Sequence, residues 1–161
     1  MGVDSRAKIF ETHEERLDRL KKESLLSGGR TLDEMLSECC MECAKASGKA
    51  FTESVDGAKL AGRLSLEEGE SVLLAHKSTL LGVVTEYFIS NKAIYMLSKN
   101  LHNRVGLEEL GPYDDIYWNG NVLYSNGVAV ANSINDGADA KMALTVLLQE
   151  IYILIHEIYN K

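Results

Sequence analysis

The chain has 161 residues, 24 of them acidic and 17 basic, for a net charge of −7, and it is 45% hydrophobic and 25% charged. That composition belongs to a globular protein with enough apolar material for a core, not to a disordered or membrane-spanning chain. A surplus of negative charge repels nucleic acid and anionic lipid on average, and no local basic patch reverses it.

The first stretch, MGVDSRAKIFETHEER, has acids early and no apolar run, so it reads as neither a signal peptide nor a membrane span. Arg6 stands where the myristoylation pattern wants Ser or Thr. Ser5 is expected to cap a first helix running to about Leu26, where Gly28-Gly29 ends it. Its apolar seam, Phe10, His13, Leu17, Leu20 and Ser24, is narrow, and its other faces are charged with Glu15 to Arg19 and Asp18 to Lys22 in the favourable i, i+4 order. So polar a helix needs a partner, either a second copy through a coiled-coil-like arm or its own domain.

Thr31 and Glu34 form a T-x-x-E capping box that opens a second helix, Leu32 to about Ser47, with Leu32, Met35, Leu36, Cys39, Cys40 and Cys43 on one side. Three cysteines within so short a helical stretch are poorly placed for intrachain disulfides, which points to a reducing, cytoplasmic setting. Cys40 and Cys43 have C-x-x-C spacing, but no paired histidine motif completes a zinc set and no flanking base activates a thiol. All three read as core residues. A weaker helical pattern follows from Ala50 to Arg63, interrupted by Gly57 and Gly62, and Leu64 to Gly69 reads as a linker and domain boundary.

Beyond Glu70 the apolar period changes from helical to alternating. Ser71 to Lys77, Val83 to Ser90 and Ala93 to Lys99 read as strands, with a tight turn at Asn91-Lys92, and Val105 to Leu110 as another. Ile116 to Trp118, Val122 to Ser125 and Val128 to Ser133 are separated by Asn119-Gly120 and Asn126-Gly127, the dipeptide that favours two-residue hairpin turns. The chain then runs into Gly137 to Tyr159, a helix capped by Asn135 or Asp136. Its apolar face is Ala140, Leu144, Leu147, Leu148, Ile151, Leu154, Ile155 and Ile158. Burying its seven Leu and Ile side chains is worth roughly 10–20 kcal/mol gross, so this helix must cover something large. Met142, Val146 and Ile153 line up on the opposite side and need a second cover, for which the N-terminal helices are the expected source.

The stretch EGESVLLAHKSTLLG leading into VTEYFISNKAIYMLSK, then GPYDDIYW, the two Asn-Gly hairpins and the last helix resemble bacterial pleckstrin-homology-like (PH-like) domains over residues 66–161. The resemblance implies a seven-stranded, partly open antiparallel barrel with its terminal helix against one end, and no chemistry, since such folds serve as docking modules. The expected class is therefore α+β, with an N-terminal helical subdomain (1–66, two to three helices) followed by a PH-like antiparallel β-barrel or sandwich (67–161) capped by a C-terminal α-helix.

His156-Glu157 opens like the zinc-protease H-E-x-x-H, but Asn160 replaces the second ligand. Asp114-Asp115 reads as a solvated turn, and Trp118, Tyr113, Tyr117 and Tyr124 as packing residues, while His13, His76, His102 and His156 share no spacing and read as surface or seam residues. No catalytic residue, cofactor or metal is expected. The expected function is a cytoplasmic, non-enzymatic protein-binding or scaffold module, homo-oligomeric through its helices, with no nucleic acid and no stable membrane binding. Met142, Val146, Ile153, Leu80 and Leu81 are its candidate partner-binding residues. Two alternatives are a small acidic inhibitor or immunity-type protein masking a basic partner, and a small-molecule pocket at the barrel mouth.

The loop AHKSTLLGVVTE, where lipid-reading PH domains would concentrate Lys and Arg, holds only His76 and Lys77. One lysine adds about 1 kcal/mol of attraction to an anionic surface. Co-sedimentation with phosphoinositide-containing vesicles at physiological salt should leave the protein in the supernatant; substantial binding lost on Lys77→Ala would restore a membrane role.

Overall fold

A computed structural model gives the fold and describes residues 7–48, 50–52, 62–80, 82–99, 101–131 and 137–160. A 3-10 turn, Ala7–Phe10, precedes α1 (His13–Ser24) and α2 (Leu32–Ala46). Seven strands follow: β1 (Val72–Leu80), β2 (Val83–Ser90), β3 (Ala93–Ser98), β4 (Leu101–Gly106), β5 (Ile116–Asn119), β6 (Val122–Ser125) and β7 (Val128–Ala131). The last helix, α3 (Ala138–Ile153), continues into a π turn, Leu154–Ile158. The protein is α+β, with a helical N-terminal part, two antiparallel sheets and a C-terminal helix. The sheets are meanders ordered β1-β2-β3-β4 and β5-β6-β7, and β7 approaches β3 to join them.

Both long N-terminal helices open on the same chemistry. The Thr12 and Thr31 hydroxyls each accept from the backbone N–H three residues on (3.1 Å in both), and the Glu15 and Glu34 carboxylates accept from the threonine backbone N–H at 2.9 and 2.8 Å. The box at Thr31 is where its spacing placed it. The first helix, by contrast, begins at His13 instead of after Ser5, because Thr12 supplies the cap, and Phe10 leaves the expected seam to stand 81% exposed in the preceding turn.

Turn chemistry sets the small sheet. Asn126 and Gly127 take φ of 51° and 78°, a left-handed pair that lets Ser125 face Val128 directly. At the other hairpin Asn119 pairs with Val122, so the turn residues are Gly120 and Asn121, one position later than the Asn-Gly spacing suggested. The strand expected at Val105–Leu110 also shifts: β4 runs from Leu101 to Gly106, and Leu107–Glu109 forms a 3-10 turn that buries Leu107. The expected Asn135 and Asp136 caps, and most of the weak helix from Ala50 to Arg63, lie outside the described residues; α3 starts from Gly137 without a side-chain cap.

One large core cluster takes in Leu20 of α1, Met35, Leu36 and the three cysteines of α2, Leu74, Ile89, Ile94 and Met96 of the first sheet, Leu123 and Val130 of the second, and α3 from Ala140 to Ile153. The apolar cluster therefore passes across the composition break at Leu64 to Gly69. A smaller cluster, Leu64, Val72, Ala75, Phe88, Ala93, Tyr95 and Leu97, covers the other face of the first sheet. There the turn before β1 is pinned by polar contacts: Glu70 accepts from the Tyr95 hydroxyl at 2.7 Å and from Ser90, while Arg104 donates to Glu67 at 2.9 Å.

The Tyr87 hydroxyl sits fully buried in the main core beside Cys40 and Cys43, with no hydrogen-bond partner among the described residues. An unmade buried hydrogen bond costs about 1–3 kcal/mol. Tyr87→Phe should therefore raise stability by about 1 kcal/mol in urea titration; a loss of similar size would mean that the hydroxyl is satisfied in solution.

Candidate functional site

Glu150 lies one helical turn from Val146 and from Ile153, in the middle of an apolar stripe of α3, and is 1% exposed. A carboxylate so placed requires cations, because an unpaired buried charge is too costly to persist. Arg19 of α1 supplies one at 2.6 Å and Lys8 of the N-terminal turn another at 3.5 Å. Arg19 also donates to Glu11 at 2.8 and 3.0 Å, and Arg16 reaches Glu11 at 3.3 Å. Arg16 itself is 1% exposed, donating to the Tyr113 hydroxyl at 2.8 Å, to Gln149 and to the Lys8 carbonyl. At the start of α1, His13 stacks on Tyr113 with ring centres 4.0 Å apart and meets Glu157 at 2.7 Å.

The electrostatics follow from this packing. Burial alone would raise the Glu11 carboxyl, but the hydrogen bonds and charges of Arg19 and then Arg16 outweigh it and hold the carboxyl below its ordinary value. Burial would likewise lower the Arg19 guanidinium, and Glu11 and Glu150 raise it instead. Beneath the cluster, Cys39, Cys40 and Cys43 are buried free thiols; burial pushes all three up, Cys40 to about 12, so they are core residues and poor nucleophiles. Among the described residues no group of three or more His, Cys, Asp or Glu side chains could hold a metal ion.

Beside the cluster opens a cavity of about 440 Å³. Its walls are Ile9 and Phe10 of the N-terminal turn, Cys43 and Ala46 of α2, and Met142, Ala143 and Val146 of α3; Lys8, Glu42, Asp139 and Glu150 supply its polar groups. Of the expected partner-binding residues, Val146 is buried in its wall, Met142 stands 39% exposed in its lining, and Ile153 is fully buried in the core of the same chain.

In the first sheet, β1 and β2 form an arm. They pair along their whole length to Leu80↔Val83, whereas β2 meets β3 only from Glu86↔Leu97 to Ile89↔Ile94. The outer edge of residues 83–85 thus has no strand partner among the described residues. Val83 and Val84 are 55% and 39% exposed there, beside a surface hollow lined by Arg63, Glu86, Leu97 and Lys99. Leu80 ends β1 by its backbone; its side chain, and Leu81, lie outside the described residues. His76, expected at the surface or a seam, is buried near the Phe51 ring, 5.0 Å between centres, while Lys77 is exposed.

Sequence reasoning missed Lys8, Arg16, Arg19 and Glu150 as a buried cluster, and Val83 and Val84 as an exposed pair. The available signal for the cluster was Glu150 itself, spaced i, i+4 and i, i+3 between Val146 and Ile153 on one face. Comparison of the chain with family models, curated proteins and solved structures finds no match.

Removing Arg19 leaves the buried Glu150 and the half-buried Glu11 with fewer cations, so Arg19→Ala should cost about 3–5 kcal/mol at neutral pH. Glu70, like Glu11, is held below its ordinary value: burial would raise it, and hydrogen bonds from Ser90, the Glu67 backbone and Tyr95 overcome that. Lowered carboxyls add stability above their unfolded value of 4.5 and lose it as pH falls through the folded one. Urea midpoints should therefore drop as pH falls below 4.5, and Glu11→Gln should flatten part of that fall.

Proposed function

We propose that this chain is a non-enzymatic, cytoplasmic protein-binding module built on a PH-like framework. The single observation that carries the reading is the β1–β2 arm, where residues 83–85 present a backbone edge with no strand partner among the described residues, and two exposed valines. An open edge recruits an extended segment of another protein by strand addition, with main-chain hydrogen bonds giving affinity and adjoining hollows giving side-chain selection. The hollow beside Val83 and Val84 supplies such a place. The four- and three-stranded meanders followed by a C-terminal helix agree with the PH-like resemblance and lend it support. Among the described residues no helix is long and apolar enough to cross a membrane.

Self-association is the second part of the reading. Leu25 and Leu26, both exposed where α1 ends, and Phe10 give the helical part apolar residues on the outside, away from the arm's role. Nucleic acid and stable membrane attachment stay outside it, since the net charge of −7 opposes both.

The test is affinity capture from the native host with wild type and the double variant Val83→Asp/Val84→Asp, which alters exposed positions only. A protein held by wild type and released by the variant, with hydrogen-exchange protection appearing at residues 83–85 in the purified complex, is the expected result. A partner retained by the variant, or protection elsewhere, would remove the arm from the reading. Light scattering of wild type and Leu25→Glu/Leu26→Glu checks the oligomer separately, with a fall in mass expected for the variant.

A further inference from the structure

We propose that the cavity between the N-terminal turn, α2 and α3 is a binding site for an uncharged apolar small molecule, held by its hydrocarbon body and not by a charged head. Its volume of about 440 Å³ falls within the range of pockets that enclose small organic ligands. Protein interiors are close-packed, and a hollow of this size walled by Ile9, Cys43, Ala46, Ala143 and Val146 departs from that packing. A hydrocarbon body restores the dispersion contacts such walls forgo. Water is a poor filling for the same space, because each molecule needs about two to four polar partners and aliphatic walls supply none.

The polar groups of the lining exclude a charged ligand, because their own charges are already answered. Glu150 accepts from Arg19 at 2.6 Å and lies 3.5 Å from Lys8, which is itself buried. Arg16 donates to the Lys8 carbonyl, so the backbone of the turn is engaged there as well. Glu42 has an interaction of its own, and Asp139 stands exposed in the first turn of α3, where water and the helix dipole favour its charge. An ion entering the cavity would lose hydration without gaining a free counter-charge, and that cost opposes the gain from burying its chain. An uncharged molecule meets no such cost. Phe10 and Met142, 81% and 39% exposed, are the lining's apolar residues most open to solvent, so a terminal hydroxyl can stay in water at the mouth they mark while the chain behind it is buried. The site shares no residue with the β1–β2 arm and stands whether or not that arm docks a protein.

Calorimetry at pH 7 and 0.1 M salt with butanol, hexanol, octanol, octanoate and octylammonium tests it. Affinity should rise about threefold to fourfold per methylene from butanol to octanol, the increment for moving a methylene from water into an apolar site. Octanoate and octylammonium should both bind about tenfold or more weakly than octanol. In methyl NMR, octanol should shift the Ile9 and Met142 signals and leave that of Ile89, in the first sheet, in place. Filling the cavity from either wall, by Ala46→Phe on α2 or Ala143→Leu on α3, should weaken octanol by about tenfold or more. The urea midpoint of each unliganded variant separates filling from unfolding, and the alcohol series and the comparison with the two ions need no variant. Equal affinity across the alcohols, either ion bound as tightly as octanol, shifts confined to other methyl groups, octanol affinity unchanged in both variants, or no binding of any probe would overturn the proposal. So would loss of octanol binding at higher protein concentration with a matching rise in mass by light scattering, which would give the cavity to a second copy of the chain.

Discussion

A carboxylate in the middle of a buried helix decides how this chain closes. Glu150 cannot be desolvated alone, and the cations that answer it, Lys8 and Arg19, come from the other end of the sequence. Because Arg16 is buried and Arg19 half-buried, they need Glu11, Tyr113 and Gln149 in turn, and each of those contacts fixes another element. The ionic cluster contributes little net stabilisation compared with an apolar packing of equal volume. What it adds is a unique register: a rotation or slide of α1 along α3 would strand a charge, which apolar contacts alone would tolerate.

Around that constraint the apolar core is continuous. α2 lies between α3 and β1, so the cysteine face of α2 and the leucine face of α3 exclude water from the same volume into which Ile89, Ile94 and Met96 project from the first sheet. The cavity forms at the border of this packing, where the N-terminal turn meets α2 and α3. The arm forms at another border, where β3 is shorter than the hairpin it pairs with. Both candidate surfaces thus lie at borders of the packing.

What could be read from the sequence follows the locality of each signal. The capping box at Thr31 and the turn at Asn126-Gly127 depend on residues within four positions of one another, and both stand where expected. The first helix was misplaced because Phe10 fits a helical seam as well as Thr12-x-x-Glu15 fits a cap, and only the cap is realised. β4 was displaced because its own residues, Leu101 to Gly106, include His102, Asn103 and Arg104, while the apolar Leu107 and Leu110 just beyond it are buried by a turn and not by a strand. The ionic cluster was the hardest to see. Charged side chains are ordinarily assigned to solvent, and nothing near Arg16 or Arg19 in the sequence says that Gln149 and Glu150, more than a hundred residues away, are among their partners.

The separation of Arg19 from Glu150, 131 positions, also sets a schedule for a chain made one residue at a time. At typical rates of about 5–20 residues per second, Arg19 is joined to the chain roughly 7–26 seconds before the carboxylate that anchors it exists. During that interval α1 and α2, of 12 and 15 residues, are marginal as isolated helices, and the apolar face of Met35, Leu36, Cys39, Cys40 and Cys43 has no α3 to cover it. The helical layer at the start of the chain is therefore complete in sequence, yet uncovered, until the last helix is made.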